Sequence, residues 1–94
     1  MRLRDQIADW LVERVASTLT VDAASVRYDV AFTDLGVSSL QAVELSDDLQ
    51  RLTNLTLPPT LVFDHPTIDG AAAFVAGELA RGKGTLPALG GSTR

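Results

Sequence analysis

From Leu3 to Leu19 an apolar side chain returns at every fourth position: Leu3, Ile7, Leu11, Val15 and Leu19, with Trp10 and Val12 beside them. Arg4, Asp5, Asp9, Glu13 and Arg14 fall mostly between. This is the period of a helix with one apolar stripe, and it predicts a helix over residues 3–18. The stripe must be covered, and two further stripes are available to cover it. Ala42, Leu45, Leu49 and Leu52 share one face of a helix running from Ser39 to Leu52, and Ile68, Ala72, Val75 and Leu79 do so in a helix that Thr67 is suited to cap. That last helix is expected to fray near Arg81. No alternating strand pattern occurs, so the chain reads as all-α.

The segments between these helices are marked by breakers. Residues 20–38 have no long period, being interrupted by Thr20, Asp22, Ser25, Asp29, Thr33, Asp34, Gly36 and Ser38. Val26, Tyr28, Val30, Phe32 and Leu35 are nevertheless apolar. The segment is therefore expected to be a long loop pinned to the core, with a helical turn near Ala23–Val26; long ordered loops in small domains tend to be functional. Pro58-Pro59 and Pro66 bracket Thr60-Leu61-Val62-Phe63, which leaves room for one short helix. The expected fold is a four-helix bundle of three longer helices and one short one, with a long loop between the first two. The domain is expected over residues 1–81. Residues 82–94, with Gly82, Gly84, Pro87, Gly90, Gly91 and Ser92, read as a flexible linker or tail.

With 94 residues the chain allows one domain and one modest core, with little room for a deep substrate pocket. It has no cysteine, hence no disulfide, no cysteine–zinc site and no thiol nucleophile of its own, which is compatible with a reducing compartment. No apolar run approaches the ~20 residues of a membrane span, and the first residues do not resemble a signal peptide. The charge is uneven. Residues 29–69 hold seven acids, Asp29, Asp34, Glu44, Asp47, Asp48, Asp64 and Asp69, against Arg51 alone. That balance disfavours nucleic acid. It fits either a solvated surface or basic protein partners drawn by long-range attraction.

The stretch Asp34-Leu35-Gly36-Val37-Ser38-Ser39-Leu40-Gln41 carries the most information. Gly36 permits a turn without a Cβ penalty. Ser38 is placed as an N-cap, with Gln41 three residues on as a capping box requires. Ser39 then takes the first helical position, where unpaired N–H groups and the helix dipole favour an anion. From the residues alone, a serine pair at the start of a helix is usually just a cap. Leu40 and Val43 lie off the core stripe, beside Gln41, Glu44, Asp47 and Asp48, which makes that face a candidate partner surface.

These residues resemble the acyl carrier proteins, most closely those of modular polyketide synthases. That family has a Leu-Gly-x-Asp-Ser-Leu segment followed by Val-Glu-Leu on the second helix; here stand Leu35-Gly36-Val37-Ser38-Ser39-Leu40 and Val43-Glu44-Leu45. Phe32-Thr33-Asp34 upstream and Leu57-Pro58-Pro59-Thr60-Leu61-Val62-Phe63-Asp64-His65-Pro66-Thr67 downstream also match, so the resemblance spans residues 5–80. It implies a carrier with no catalysis of its own. Ser39 would receive 4′-phosphopantetheine from coenzyme A through a phosphopantetheinyl transferase, and the arm would carry acyl or polyketide intermediates as thioesters. Asp34, Leu40, Val43, Glu44, Asp47 and Asp48 would meet partners: the transferase, ketosynthase, acyltransferase and other synthase domains. A cytoplasmic, monomeric domain is implied, with neither nucleic acid nor membrane as partner.

One position departs from the family pattern. Ser38 stands where Asp is usual, keeping the cap but losing a charge, and it is the alternative attachment hydroxyl. Two other readings stay open: a carrier-like interaction domain that is not modified, and a peptidyl carrier with aminoacyl cargo. A hydrolase reading has little to stand on. Gly36-Val37-Ser38-Ser39-Leu40 lacks the second glycine of a nucleophile elbow, and His65 sits in a turn signal. No metal site is expected, because Asp47 and Asp48 are adjacent and diverge by about 100° on a helix.

Overall fold

The computed structural model describes residues 2–84. Five α-helices follow in order: α1 (Leu3–Leu19), α2 (Phe32–Leu35), α3 (Ser39–Thr53), α4 (Leu61–Asp64) and α5 (Ile68–Ala80), with a 3₁₀ turn at Ala23–Ser25. The three long helices and the short α4 fall where the sequence pattern puts them. No strand occurs among the described residues; Ala31 and Thr67 form an isolated antiparallel bridge. The one addition is α2, a single turn within the long loop. One turn is too short to show a period, which is why the sequence reads there as a loop. It forms because Phe32 is buried beneath it and because Gly36, at φ 105°, ends it in a conformation that glycine adopts without strain.

The core is the meeting of the three stripes. α1 contributes Ile7, Leu11, Val12 and Val15, and packs chiefly along α5. α5 contributes Ile68, Ala71, Ala72 and Val75. α3 turns Ala42, Leu45 and Leu49 inward, with Ser46 and Thr53 on the same side. The outermost members of each expected stripe, Leu3, Leu19, Leu52 and Leu79, are half-buried at its ends. Alanines on α1 and α5 (Ala8, Ala16, Ala71, Ala72) are buried between larger side chains. Short side chains there let the helices approach closely.

The long segment between α1 and α3 is anchored at several points. Val26, Phe32 and Val37 are buried. Tyr28 stays exposed; its hydroxyl donates to Asp9 Oδ1 at 2.7 Å, and that bond, more than burial, holds the phenol above its ordinary pKa. Main-chain bonds tie the segment to the start of α5: Phe32 N–H to the Pro66 carbonyl at 2.8 Å, and Asp69 N–H to the Tyr28 carbonyl at 3.0 Å. Losing Phe32 to alanine would cost about 3–5 kcal/mol by the ordinary rule for a fully buried ring. The segment is thus a fixed bracket, and it delivers the chain to α3 at a set position.

At the other end of the domain, α5 closes with Gly82 N–H on the Leu79 carbonyl and Lys83 N–H on the Glu78 carbonyl. A Cβ on Gly84 would fall inside contact distance of the Thr53 carbonyl and the Leu55 side chain. Gly84, which the sequence assigns to the tail, therefore lies against the end of α3. The tail beyond it lies outside the described residues.

Candidate functional site

Ser39 is the first residue of α3, and its placement follows from its neighbours. Gly36 turns the chain out of α2, and Val37 is buried. Ser38 takes the extended N-cap conformation at φ −78°, ψ 168°. Both halves of the capping box are made: Gln41 N–H donates to Ser38 Oγ at 3.1 Å, and Ser38 N–H donates to Gln41 Oε1 at 2.9 Å. Ala42 N–H reaches the Ser38 carbonyl at 2.8 Å. Of the amides that open α3, those of Ser39 and Leu40 have no hydrogen-bond partner among the described residues.

The two adjacent hydroxyls therefore differ. That of Ser38 accepts the bond that starts the helix. That of Ser39 is exposed and free among the described residues, beside unpaired amides at the positive end of a helix of 15 residues. A phosphate ester there is favoured by about 0.3–1 kcal/mol of dipole interaction. The end of α3 thus fits an anionic group on Ser39, and the same group on Ser38 would disturb the cap.

The candidate contact residues occupy the outer side of α3. Leu40 is 69% exposed and Val43 42% exposed, and three residues apart on one helix they adjoin each other. Glu44 lies beside them and makes no ion pair among the described residues. Asp47 and Asp48 do: Asp47 Oδ2 lies 2.7 Å from Arg51 Nη2, and Asp48 Oδ2 lies 3.2 Å from Arg14 Nη2 on α1. Asp48 also lies 3.8 Å from Arg51 Nη1. Asp34 is exposed on α2, one turn of chain before the site.

The sequence did not expose two features of this surface. One is a shallow cleft of about 300 Å³ beside Val43 and Glu44, walled by Gln50, Leu57 and Pro59. It exists because Gln50 Oε1 accepts from Leu57 N–H at 2.8 Å and so holds the segment after α3 against the helix. The other is the pairing of Asp48 with Arg14, which joins two helices. The Asp47–Arg51 pair, four residues apart, has the spacing of neighbours on a helix surface. The Asp64-His65 dipeptide is not a catalytic pair: Asp64 accepts from the Thr60 hydroxyl at 3.1 Å, and the His65 ring stacks on Phe74 with centroids 4.4 Å apart.

A protein-family model described as "Phosphopantetheine attachment site" matches residues 9–75. The chain belongs to that family. The carrier domain is 39% identical over 93 residues, 89% of the chain, to the phenolphthiocerol synthesis polyketide synthase type I Pks15/1 of Mycobacterium bovis. It is 42% identical over 89 residues, 95% of the chain, to the polyketide synthase GfsA of Streptomyces halstedii. It spans only 4% and 1% of the lengths of those relatives. Among solved structures, a free-standing peptidyl carrier protein from Acinetobacter baumannii matches with a TM-score of 0.78 at 34% identity, covering 81% of this chain and 95% of that one. The A1-type acyl carrier domain from module 5 of MLSA1 matches with a TM-score of 0.70 at 32% identity, covering 96% of this chain and 87% of that one. The all-α architecture and the phosphopantetheine attachment type agree with the resemblance read over residues 5–80.

Proposed function

We propose that Ser39 is the attachment residue, and that the domain presents acyl intermediates to the enzymes of a polyketide synthase without catalysing a step itself. The observation that carries the choice of serine is the division of labour at the head of α3. The Ser38 hydroxyl is engaged as the cap, and the Ser39 hydroxyl is exposed and free among the described residues. When bound, the arm supplies a terminal thiol, which this cysteine-free chain lacks, and holds the acyl group as a thioester. The chain's own contribution is positional. The unpaired amides of Ser39 and Leu40 favour the negative phosphate, and the capping box keeps the helix end fixed.

A polyketide assignment draws support from the synthases that share this domain. The partners proposed are a phosphopantetheinyl transferase, then ketosynthase, acyltransferase and other synthase domains, meeting the face of Leu40, Val43 and Glu44. The carrier domain is residues 1–81, with residues 82–94 as linker or tail, and it works in the cytoplasm. Intact-protein mass spectrometry tests the attachment after incubation with coenzyme A, magnesium and a broad-specificity transferase, with fragment mapping of the product. One phosphopantetheine increment on Ser39 is expected. An increment on Ser38, or none on folded protein, overturns the assignment.

A further inference from the structure

The acidic excess of residues 29–69 does not gather on the outer face of α3. Asp29 pairs with Arg27 at 3.3 Å, while Asp34, Asp64 and Asp69 belong to α2, α4 and α5. On α3 and its border with α1, three carboxylates (Glu44, Asp47 and Asp48) face two guanidinium groups, Arg51 and Arg14. One net negative charge remains. Arg14 is itself held by Trp10, its guanidinium carbon 5.3 Å from the ring centroid. Beyond about a Debye length, ~8–10 Å, salt screens these charges, and within it an approaching protein senses the net charge of the face and not the count of acids. At contact it meets Leu40 and Val43, the exposed apolar side chains of α3, with Glu44 as the α3 carboxylate that has no ion-pair partner among the described residues.

We infer that Arg51 and Arg14 set the partner class of this face by masking Asp47 and Asp48. The occupant is a partner surface with an apolar contact patch and a single cationic group opposite Glu44, not a strongly basic patch. This inference rests on the reading of the α3 face as the docking surface. It departs from the acid-rich sequence, which on its own points to electrostatic steering by several charges. Exposed ion pairs contribute little to stability, so Arg51 is better explained as a mask on this surface than as a brace for the helix.

The test compares wild type with Arg51→Ala, Glu44→Gln and Leu40→Ala, using the kcat/KM of a broad-specificity phosphopantetheinyl transferase at about 0.05 and 0.5 M salt. Wild type should change by less than about threefold between the two, Leu40→Ala should lose about tenfold at both, and Glu44→Gln should remove the remaining salt dependence. Arg51→Ala, a good helix former at an exposed site, should steepen the salt dependence by about threefold. A second arm is independent of modification: an oligoarginine peptide is titrated while backbone amide NMR shifts are followed. The amides of α3 should stay still in wild type and move in Arg51→Ala. Equal movement in both, or a steep salt dependence in wild type, overturns the masking. Failure of every variant to be modified would sink the attachment reading instead and leave the peptide arm to decide this one.

Discussion

At its start, α3 offers solvent an exposed hydroxyl and two amides unpaired among the described residues; at its last residue, Thr53, the side chain is fully buried. The Thr53 hydroxyl donates to the Leu49 carbonyl at 2.8 Å and accepts from Leu55 N–H at 3.3 Å. Asn54 turns the chain at φ 56°, Gln50 holds Leu57, and Gly84 returns to lie against the Thr53 carbonyl. One end of the helix is left open for chemistry, and the other is closed with polar groups that serve only the fold. The ends are about 21 Å apart at 1.5 Å per residue. Packing that fixes the closed end therefore steadies the open end without crowding it. The largest test of this difference is Ser39→Ala. It should abolish modification in the mass-spectrometric assay and move stability by less than about 0.5 kcal/mol, as an exposed residue at the first helical position should. A drop beyond ~1 kcal/mol would mean that Ser39 does structural work and that the open end is not free.

Thr53→Val should act in the opposite way. It keeps the shape of the side chain but leaves the Leu55 N–H without its acceptor in a buried place. The expected loss is about 2 kcal/mol, or a fall in Tm on the order of 10 °C, with the rate of Ser39 modification unchanged in the folded protein. A loss under about 0.5 kcal/mol in denaturant titration would show that water reaches the Leu55 amide and that this end is not closed.

Ser38→Ala separates the cap from the attachment. Both bonds of the capping box depend on residue 38 and Gln41, and the alanine removes the hydroxyl that receives the Gln41 amide. About 1 kcal/mol should be lost. Ser39 should still be modified, more slowly, because the first turn frays. If the Ser38→Ala protein takes no arm while Ser39→Ala does, the roles of the two hydroxyls are reversed.

Legibility in the sequence varies along the chain. The three long helices were legible because each repeats an apolar residue every three or four positions for several turns. Ser38 and Ser39 were legible because a capping box has its own spacing, and the family pattern then singled out the second serine. The single turn of α2 was not legible, since its stability comes from the burial of Phe32 and from its bond to Pro66, 34 positions on in sequence. Nor was the Arg14–Asp48 pair, which joins residues 34 positions apart in sequence. Charge read along a chain is a sum over neighbours in sequence, whereas a partner meets the sum over neighbours in space. The packed position of Gly84 escaped for the same reason: glycine-rich composition marks flexibility, and only the carbonyl of Thr53 shows why a side chain could not stand there.

The smallest predicted effect is the most discriminating one. Ser38→Asp restores the residue usual in the related carrier domains. Asp caps a helix about as well as Ser, so the bond from the Gln41 amide should survive, and a negative charge at the positive end of α3 adds about 0.3–1 kcal/mol. Thermal unfolding of the unmodified protein should therefore rise by about 2–5 °C. With phosphopantetheine on Ser39 the gain should shrink, because two negative groups would then repel each other at the same helix end. An equal gain in both forms would place the phosphate away from the α3 amides. The open helix end would then have no part in holding the arm, and its two unpaired amides would be a cost to the fold with no return in function.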